Sequence, residues 1–181
     1  VANTNARRKQ KIYSDILGRN HKTEVYKWDG TTVYSTTLTT FNGRDQAASI
    51  FQQDNTLNPV VSQTTMMTYD GHGRLKTRHL PQQNASTSTL YNYNADDSIE
   101  SVMDARGATV NYDYNSRGLV AEISYGVPQN SNIPVTPAVE FSYDAAGNRT
   151  SMNDGVGNVQ YEYNALSQIT AETRQFNDSL P

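Results

Sequence analysis

One short motif recurs along the chain and constrains every fold it could adopt. Its best copies are Tyr69-Asp70-Gly71-His72-Gly73-Arg74 and Tyr143-Asp144-Ala145-Ala146-Gly147-Asn148: an aromatic, an Asp, two variable residues, then Gly. Tyr114-Asn115-Ser116-Arg117-Gly118 keeps the Gly and places Asn in the second slot. Phe41-Asn42, Tyr93-Asn94 and Tyr163-Asn164 open weaker copies, with Asp45, Asp97 and Ser167 where Gly is expected. Near the start, Asp15-Ile16-Leu17-Gly18-Arg19 follows Ser14 instead of an aromatic. The anchors at 14, 41, 69, 93, 114, 143 and 163 lie between 20 and 29 residues apart. A helical solenoid would hold its period better. Hairpins absorb such drift, because insertions go into their turns.

The motif has a mechanism that requires neither catalysis nor metal. Asp or Asn at the first turn position accepts a hydrogen bond from the backbone N–H two residues on. Gly three residues later supplies a positive φ at little steric cost. Where Asp45, Asp97 and Ser167 replace it, the turn is expected to solve its geometry differently. A second turn signal lies between anchors, at Asp104-x-x-Gly107 and Asp154-x-x-Gly157, and each precedes a strand-like run to the next anchor. Those runs alternate as half-buried strands do, in Val110-Asn111-Tyr112-Asp113-Tyr114 and Val159-Gln160-Tyr161-Glu162-Tyr163. Each repeat is therefore expected to be a two-stranded hairpin. Tyr69, Tyr93, Tyr114, Tyr143 and Tyr163 are expected to be well buried and stacked from repeat to repeat.

Composition agrees with strands and polar turns. Hydrophobic residues make up 35% and charged residues 18%, while Thr, Asn and Ser number 20, 18 and 15. A helical bundle wants Leu, Ala, Glu and Lys instead. Only 44–53 shows modest helical character, and the repeat register reads it as a turn followed by a strand. No apolar run exceeds two or three residues, which excludes a transmembrane helix. The opening Val1-Ala2-Asn3-Thr4-Asn5 has no apolar leader, so a piece of a longer chain is expected. The absence of cysteine rules out disulfides and thiolate metal sites. A net charge of −3 argues against nucleic acid as a partner. The one basic cluster, Arg7-Arg8-Lys9-Gln10-Lys11, reads as a solvated strand edge or linker.

These residues together resemble the YD-repeat, or RHS-repeat, family. The resemblance rests on the copies at Tyr69, Tyr143 and Asp15 and on the second turns at Asp104 and Asp154, and it covers about 11–171. It implies an all-β fold of repeated antiparallel hairpins in a continuous spiralling sheet, a segment of a hollow β-shell. Such shells occur in bacterial RHS effectors, in toxin-complex B and C components and in teneurin ectodomains. The family's Asp-Pro self-cleavage motif is not in 1–181. The expected organisation is repeats over 11–175 in six to seven copies, with a Pro-rich loop insertion at 126–138. Residues 1–10 read as a linker or the end of a preceding repeat, and 176–181 as the start of the next segment.

Candidate chemistry is outweighed by this scaffold. His72 occupies a turn slot that Ala146 and Arg117 fill elsewhere, so a His–Asp–Ser set with Asp70 is not expected. Asp-x-x-Gly brings one acid per turn, too few for Ca²⁺. No phosphate loop is present. The expected function is thus a non-catalytic structural segment of a large secreted or cell-surface bacterial protein, without cofactor, metal or membrane insertion. Its structural residues are Phe41, Asn42, Tyr69, Asp70, Gly73, Arg74, Tyr93, Asn94, Tyr114, Asn115, Gly118, Tyr143, Asp144, Gly147, Tyr163 and Asn164, with Asp104, Gly107, Asp154 and Gly157 in the second turns. Expected partners are the rest of its own chain or other copies through strand edges. An enclosed toxin domain or a surface glycan or protein would be a further partner. The alternative is an adhesion module that binds carbohydrate or protein through an exposed face.

Overall fold

The computed structural model describes residues 9–128 and 131–177. Arg7 and Arg8, and the segments 1–8 and 178–181, lie outside the described residues. The described chain is all-β and contains no helix. A first unit, ending at Ser88, holds β1 (Gln10–Ser14), β2 (Asn20–Tyr26), β3 (Val33–Phe41), β4 (Ala47–Asp54), β5 (Val61–Tyr69) and β6 (Leu75–His79). A second, from Thr89, holds β7 (Thr89–Tyr93), β8 (Ile99–Met103), β9 (Thr109–Tyr114), β10 (Val120–Gly126), β11 (Val139–Tyr143), β12 (Arg149–Asp154), β13 (Gly157–Tyr163) and β14 (Ile169–Phe176). Within each unit the strands lie in sequence order and every paired neighbour is antiparallel. Residues 44–53 form a turn and then β4, as the repeat register expects.

Each anchor closes a hairpin of one design. The anchor faces the residue six positions on, as Phe41 faces Ala47, Tyr69 faces Leu75 and Tyr143 faces Arg149. The residue before the anchor faces the one eight positions past that anchor, as Thr40 faces Ser49 and Ser142 faces Ser151. One residue on the returning strand is left without an opposite number. Such a bulge bends the strand and raises its local twist. The shift recurs at all seven anchors, beside Ser14, Phe41, Tyr69, Tyr93, Tyr114, Tyr143 and Tyr163.

Burial is shallow. Strands touch their sequence neighbours, and among the described residues no second layer packs on either unit. Among the described residues only Tyr26 and Val159 are buried hydrophobic residues. The anchor tyrosines Tyr69, Tyr93, Tyr114, Tyr143 and Tyr163 are half-buried, not well buried as the sequence suggests. The cause is the missing layer: a strand covers its neighbour's flank, but nothing seals the face above it.

The two second turns are also not equivalent. Gly107 sits at φ +88°, in the left-handed region, and repeats the anchor geometry. Gly157 does not have a positive φ. Asp154 and Gly157 face each other across a tighter connection. A Cβ on Gly157 would run into the backbone carbonyl of Gln175 and lie 2.9 Å from Phe176 Cα. Gly157 is therefore small because β14 passes close by. Replacing Gly157 with Ala should cost about 1–3 kcal/mol through this overlap. Gly43→Ala, which meets nothing within 4 Å, should stay within about 0.5 kcal/mol. Urea unfolding midpoints would compare the two.

Candidate functional site

The anchor turn is the chemical unit of this chain. In six of the seven copies the side-chain oxygen of the Asp or Asn draws in the backbone just ahead of it, while in the Asn94 copy the Ser98 N–H donates to Asp96 Oδ1 at 3.1 Å. Asp70 Oδ1 accepts the N–H of His72 and of Arg74, each at 2.9 Å. Asn42 does the same for Arg44 and Gln46, Asn115 for Arg117 and Leu119, and Asn164 for Leu166 and Gln168. Asp15 and Asp104 repeat the pattern. The backbone closes the turn from both ends. Asp70 N–H donates to the Arg74 carbonyl at 2.9 Å, and Gly73 N–H donates to the Asp70 carbonyl at 3.1 Å.

The fourth turn residue is left-handed in every copy. Gly73 has φ +89° and Gly147 +90°. Asp45, Asp97 and Ser167 adopt φ 62°, 70° and 59° without being glycine. The expected alternative geometry at these three turns is thus not adopted. The hydrogen bonds around the turn hold one backbone path, and the side chain bears the strain. Asp tolerates the left-handed region better than most residues, while Ser167 has less to offset the cost.

The second oxygen or the amide of the turn residue selects what stands four positions on. Asp70 Oδ2 pairs with Arg74 Nε at 2.7 Å, and Asp15 Oδ2 with Arg19 Nε at 2.7 Å. Asp144 Oδ2 accepts from Asn148 Nδ2 at 2.9 Å. Where Asn holds the slot the polarity reverses, and its Nδ2 donates. Asn42 donates to Gln46 Oε1, Asn164 to Gln168 Oε1 and Asn94 to Ser98 Oγ. In these six turns acid goes with a donor four residues on and amide with an acceptor; the Asn115 turn, with Leu119 in that place, has neither.

Turns and hairpins are then tied to their neighbours. Arg44 Nη1 donates to the Gly71 carbonyl at 2.7 Å and Gln46 Nε2 to that of Gly73 at 2.5 Å, joining two turns of the first unit. Arg19 bridges to Asp45 in the same unit. In the second unit Arg117 Nη1 reaches the Ala145 carbonyl at 3.1 Å. The anchor hydroxyls form a further set. Tyr69 donates to the Ala47 carbonyl, Tyr114 to Ile99, Tyr143 to Val120 and Tyr163 to Arg149, at 2.7–2.9 Å. In each case the acceptor stands six residues after the preceding anchor.

Residues 143–174 match the family model described as RHS Repeat. That match spans one hairpin repeat and the strand that follows it, from the end of β11 into β14. No curated protein matches the sequence. Among solved structures, the chain is similar to the Tc holotoxin pore of Photorhabdus luminescens carrying a TccC3 point mutation, at 14% identity and TM-score 0.48, over 86% of this chain and 9% of that one. It is similar to the complex TcdB2-TccC3-Cdc42 at 12% identity and TM-score 0.48, over 96% of this chain and 12% of that one. It is similar to TcdB2-TccC3-TEV at 13% identity and TM-score 0.46, over 90% and 13%. The chain spans about a tenth of the length of these chains.

The carboxylates of the anchor turns are hydrogen-bond acceptors whose partners favour the ionised form. Burial pushes the Asp70 carboxyl up, but the Arg74 guanidinium and the N–H groups of Arg74 and His72 outweigh it and hold it at about 2. The Asn148 side chain holds Asp144 below its ordinary value, and the Arg19 guanidinium does so for Asp15. These acids are ionised at neutral pH and cannot deliver a proton there. His72 is exposed, and its backbone N–H donates to Asp70. Among the described residues, no group of three His, Cys, Asp or Glu could hold a metal ion.

Several features escape a reading of the residues alone. Glu24 accepts the hydroxyls of Tyr13 and Tyr26 at 2.8 Å and pairs with Lys22 at 2.6 Å. Lys9 and Lys11 lie over the Tyr26 ring, 4.7 and 5.5 Å from its centre. This cluster pins β1, and it gives the described part of the basic cluster a packing role. Asp29 caps a further turn through Thr31 and Thr32, which the dipeptide Asp29-Gly30 signals. Nothing in the sequence marks the bulge.

Two outcomes follow for these turns. Ser167→Gly should stabilise the chain by about 1 kcal/mol, by relieving a left-handed non-glycine residue; thermal or urea unfolding reads this directly. The second concerns acid. The Lys22 ammonium and then the Tyr13 and Tyr26 hydroxyls hold Glu24 at about 2, against an ordinary 4.5. A carboxyl so depressed stabilises the fold fully above its unfolded value and loses that contribution as pH falls through its folded one. β1 should therefore lose hydrogen-exchange protection between pH 4.5 and 2, and Glu24→Gln should remove most of that dependence.

Proposed function

We infer that this chain is a non-catalytic wall segment of a large secreted or cell-surface RHS-repeat protein. The repeats over 11–175 build a β-shell or extended sheet that encloses or displays other domains. The observation that carries this reading is the recurrence of one bulged turn with a left-handed fourth residue at all seven anchors. An active site needs groups whose pKa and geometry set them apart for a reaction. Here Asp15, Asp70 and Asp144 hold the same slot in three copies of one turn type, and each is held low by its own turn partners.

The arrangement suits a wall. Within each unit the strands spend their backbone on sequence neighbours, and turns of neighbouring repeats clasp one another through Arg19, Arg44, Gln46 and Arg117. The adhesion alternative asks for a contiguous exposed aromatic patch. Among the described residues the exposed aromatics are Trp28 and Phe176, one in each unit, and no tyrosine is exposed.

The test uses the full-length chain. A domain enclosed by the repeats should resist added protease while the wall is intact. Gly73→Val with Gly147→Val forces a branched residue into the left-handed region twice, at about 1–3 kcal/mol each. That double variant should expose the enclosed domain to cleavage. The reading fails if Asp70→Asn abolishes a hydrolytic or lyase activity while leaving the fold intact.

A further inference from the structure

Of the chain's 18 asparagines, Asn42 alone is followed by glycine. The pair sits in an anchor turn whose bonds bear on the side-chain amide. Asn42 Oδ1 accepts the N–H of Arg44 at 2.9 Å and of Gln46 at 3.1 Å. Both donors polarise the amide carbonyl, and both would stabilise negative charge on Oδ1 when a nucleophile adds to Cγ. The next backbone nitrogen is such a nucleophile, since its attack closes a succinimide ring. Gly43 N–H donates to nothing among the described residues. Gly43 is exposed, and a Cβ there would meet nothing within 4 Å. Ring and water both have room.

Three related Asp-Gly steps occur, at Asp29-Gly30, Asp70-Gly71 and Asp154-Gly155. Ring closure at an aspartate needs the neutral carboxyl, so that water can leave. The Thr32 hydroxyl holds Asp29 at about 2, and the Val156 N–H holds Asp154 below its ordinary value. At Asp70 burial is outweighed by Arg74, which leaves that carboxyl at about 2 as well. All three are ionised at neutral pH and closed to this route. An asparagine amide needs no such proton.

We propose that Asn42 deamidates in the folded chain, and that its conversion to an acid uncouples the turn at Phe41 from the turn at Tyr69. The Gly43 nitrogen bonds to Asn42 Cγ and gives its proton to water. The Cγ–Nδ2 bond breaks, Nδ2 takes a proton, and ammonia leaves. Water then opens the succinimide. Attack at one carbonyl gives an aspartate at this position; attack at the other gives an isoaspartate, with the chain running through Cγ. One water is consumed and one ammonia released, once per chain. Neither step depends on what the repeats enclose.

The pairing within the anchor turns sets the consequence. Asn42 Nδ2 donates to Gln46 Oε1 at 3.0 Å, and Gln46 Nε2 donates to the Gly73 carbonyl at 2.5 Å. After conversion a carboxylate oxygen faces Gln46 Oε1, acceptor against acceptor. Asp15, Asp70 and Asp144 each meet a donor in that place, from Arg19, Arg74 and Asn148. Gln46 therefore turns its amide to the carboxylate, and the bond to Gly73 is lost. The isoaspartate also adds a backbone methylene group and breaks the register that sets Phe41 opposite Ala47.

The test is incubation of the 181-residue chain in mildly alkaline heavy-oxygen water, followed by peptide mapping. Label should enter at Asn42 about tenfold or more faster than at Asn115 and Asn164, which accept the same two N–H groups but precede the bulkier Ser116 and Ala165. Gly43→Ala, which fits the open space, should slow labelling at Asn42 by about tenfold. Asn42→Asp should speed exchange of the Gln46 side-chain amide and of the Gly73 N–H by about three- to tenfold, the effect of one hydrogen bond. Gln46→Ala should speed Gly73 exchange as much, and the two changes together no further, because both remove the same bond. Labelling at Asn42 no faster than at Asn115 and Asn164, or unchanged by Gly43→Ala, would overturn the site. Unchanged Gly73 exchange in Asn42→Asp would overturn the uncoupling.

Discussion

The structure depends on one acceptor: the side-chain oxygen of Asp or Asn in the anchor turn. By taking the N–H groups two and four residues ahead, it fixes the backbone path of the turn. That path ends in a left-handed residue, which explains why Gly is preferred and why Asp45, Asp97 and Ser167 are bent into the same shape. The path also sets the six-residue register across the hairpin and the bulge beside the anchor. The register in turn places each anchor hydroxyl on the carbonyl six residues past the previous anchor. Each such bond contributes about 0.5–1.5 kcal/mol net. Repetition, not any single bond, makes the set decisive.

Repetition matters because little else is available. With 35% hydrophobic residues and no second layer among the described residues, neither unit buries a thick core. Stability in such an array is close to a sum of repeat and nearest-neighbour terms. The faces of the second unit show how that sum is built. One carries rows such as Tyr91, Val102, Val110 and Tyr125; the other carries Asn92, Ser101, Asn111 and Ser124. The first row supplies the apolar contact. The second is bonded across strands, as Asn92 Nδ2 donates to Ser101 Oγ at 3.0 Å. A sheet of this kind resists loss of one contact but depends on every turn, since a turn sets the register of all that follows it.

The hairpins and their anchors were legible in the sequence because each rests on a local code. Asp or Asn followed by Gly three residues on names a turn by its own chemistry, and period-two alternation names the strands around it. Burial was less legible. A run such as Val159-Gln160-Tyr161-Glu162-Tyr163 shows which residues share a face, but not whether anything covers that face. Val159 is buried while Tyr163 is half-buried. Gly157 looks like a turn glycine by spacing, yet its size answers to Gln175 and Phe176, which no local pattern connects to it. The Glu24 cluster was hidden for the same reason: Tyr13, Lys22, Glu24 and Tyr26 meet only once β1 and β2 are paired.

The central claim is that the Asp or Asn side chain organises the anchor turns, as it does in six of the seven, and hydrogen exchange tests it most directly. The amides of Arg19, Gln46, Arg74, Leu119, Asn148 and Gln168 each donate to such an oxygen four residues earlier. In a loop held only by its flanking strands these amides would exchange at the rate of an open chain. The account predicts that all six are protected in the native state, and that replacing Asp70 with Ala releases Arg74 together with the amides of β6. Exchange of these amides at open-chain rates, or a release confined to Arg74 alone, would contradict it.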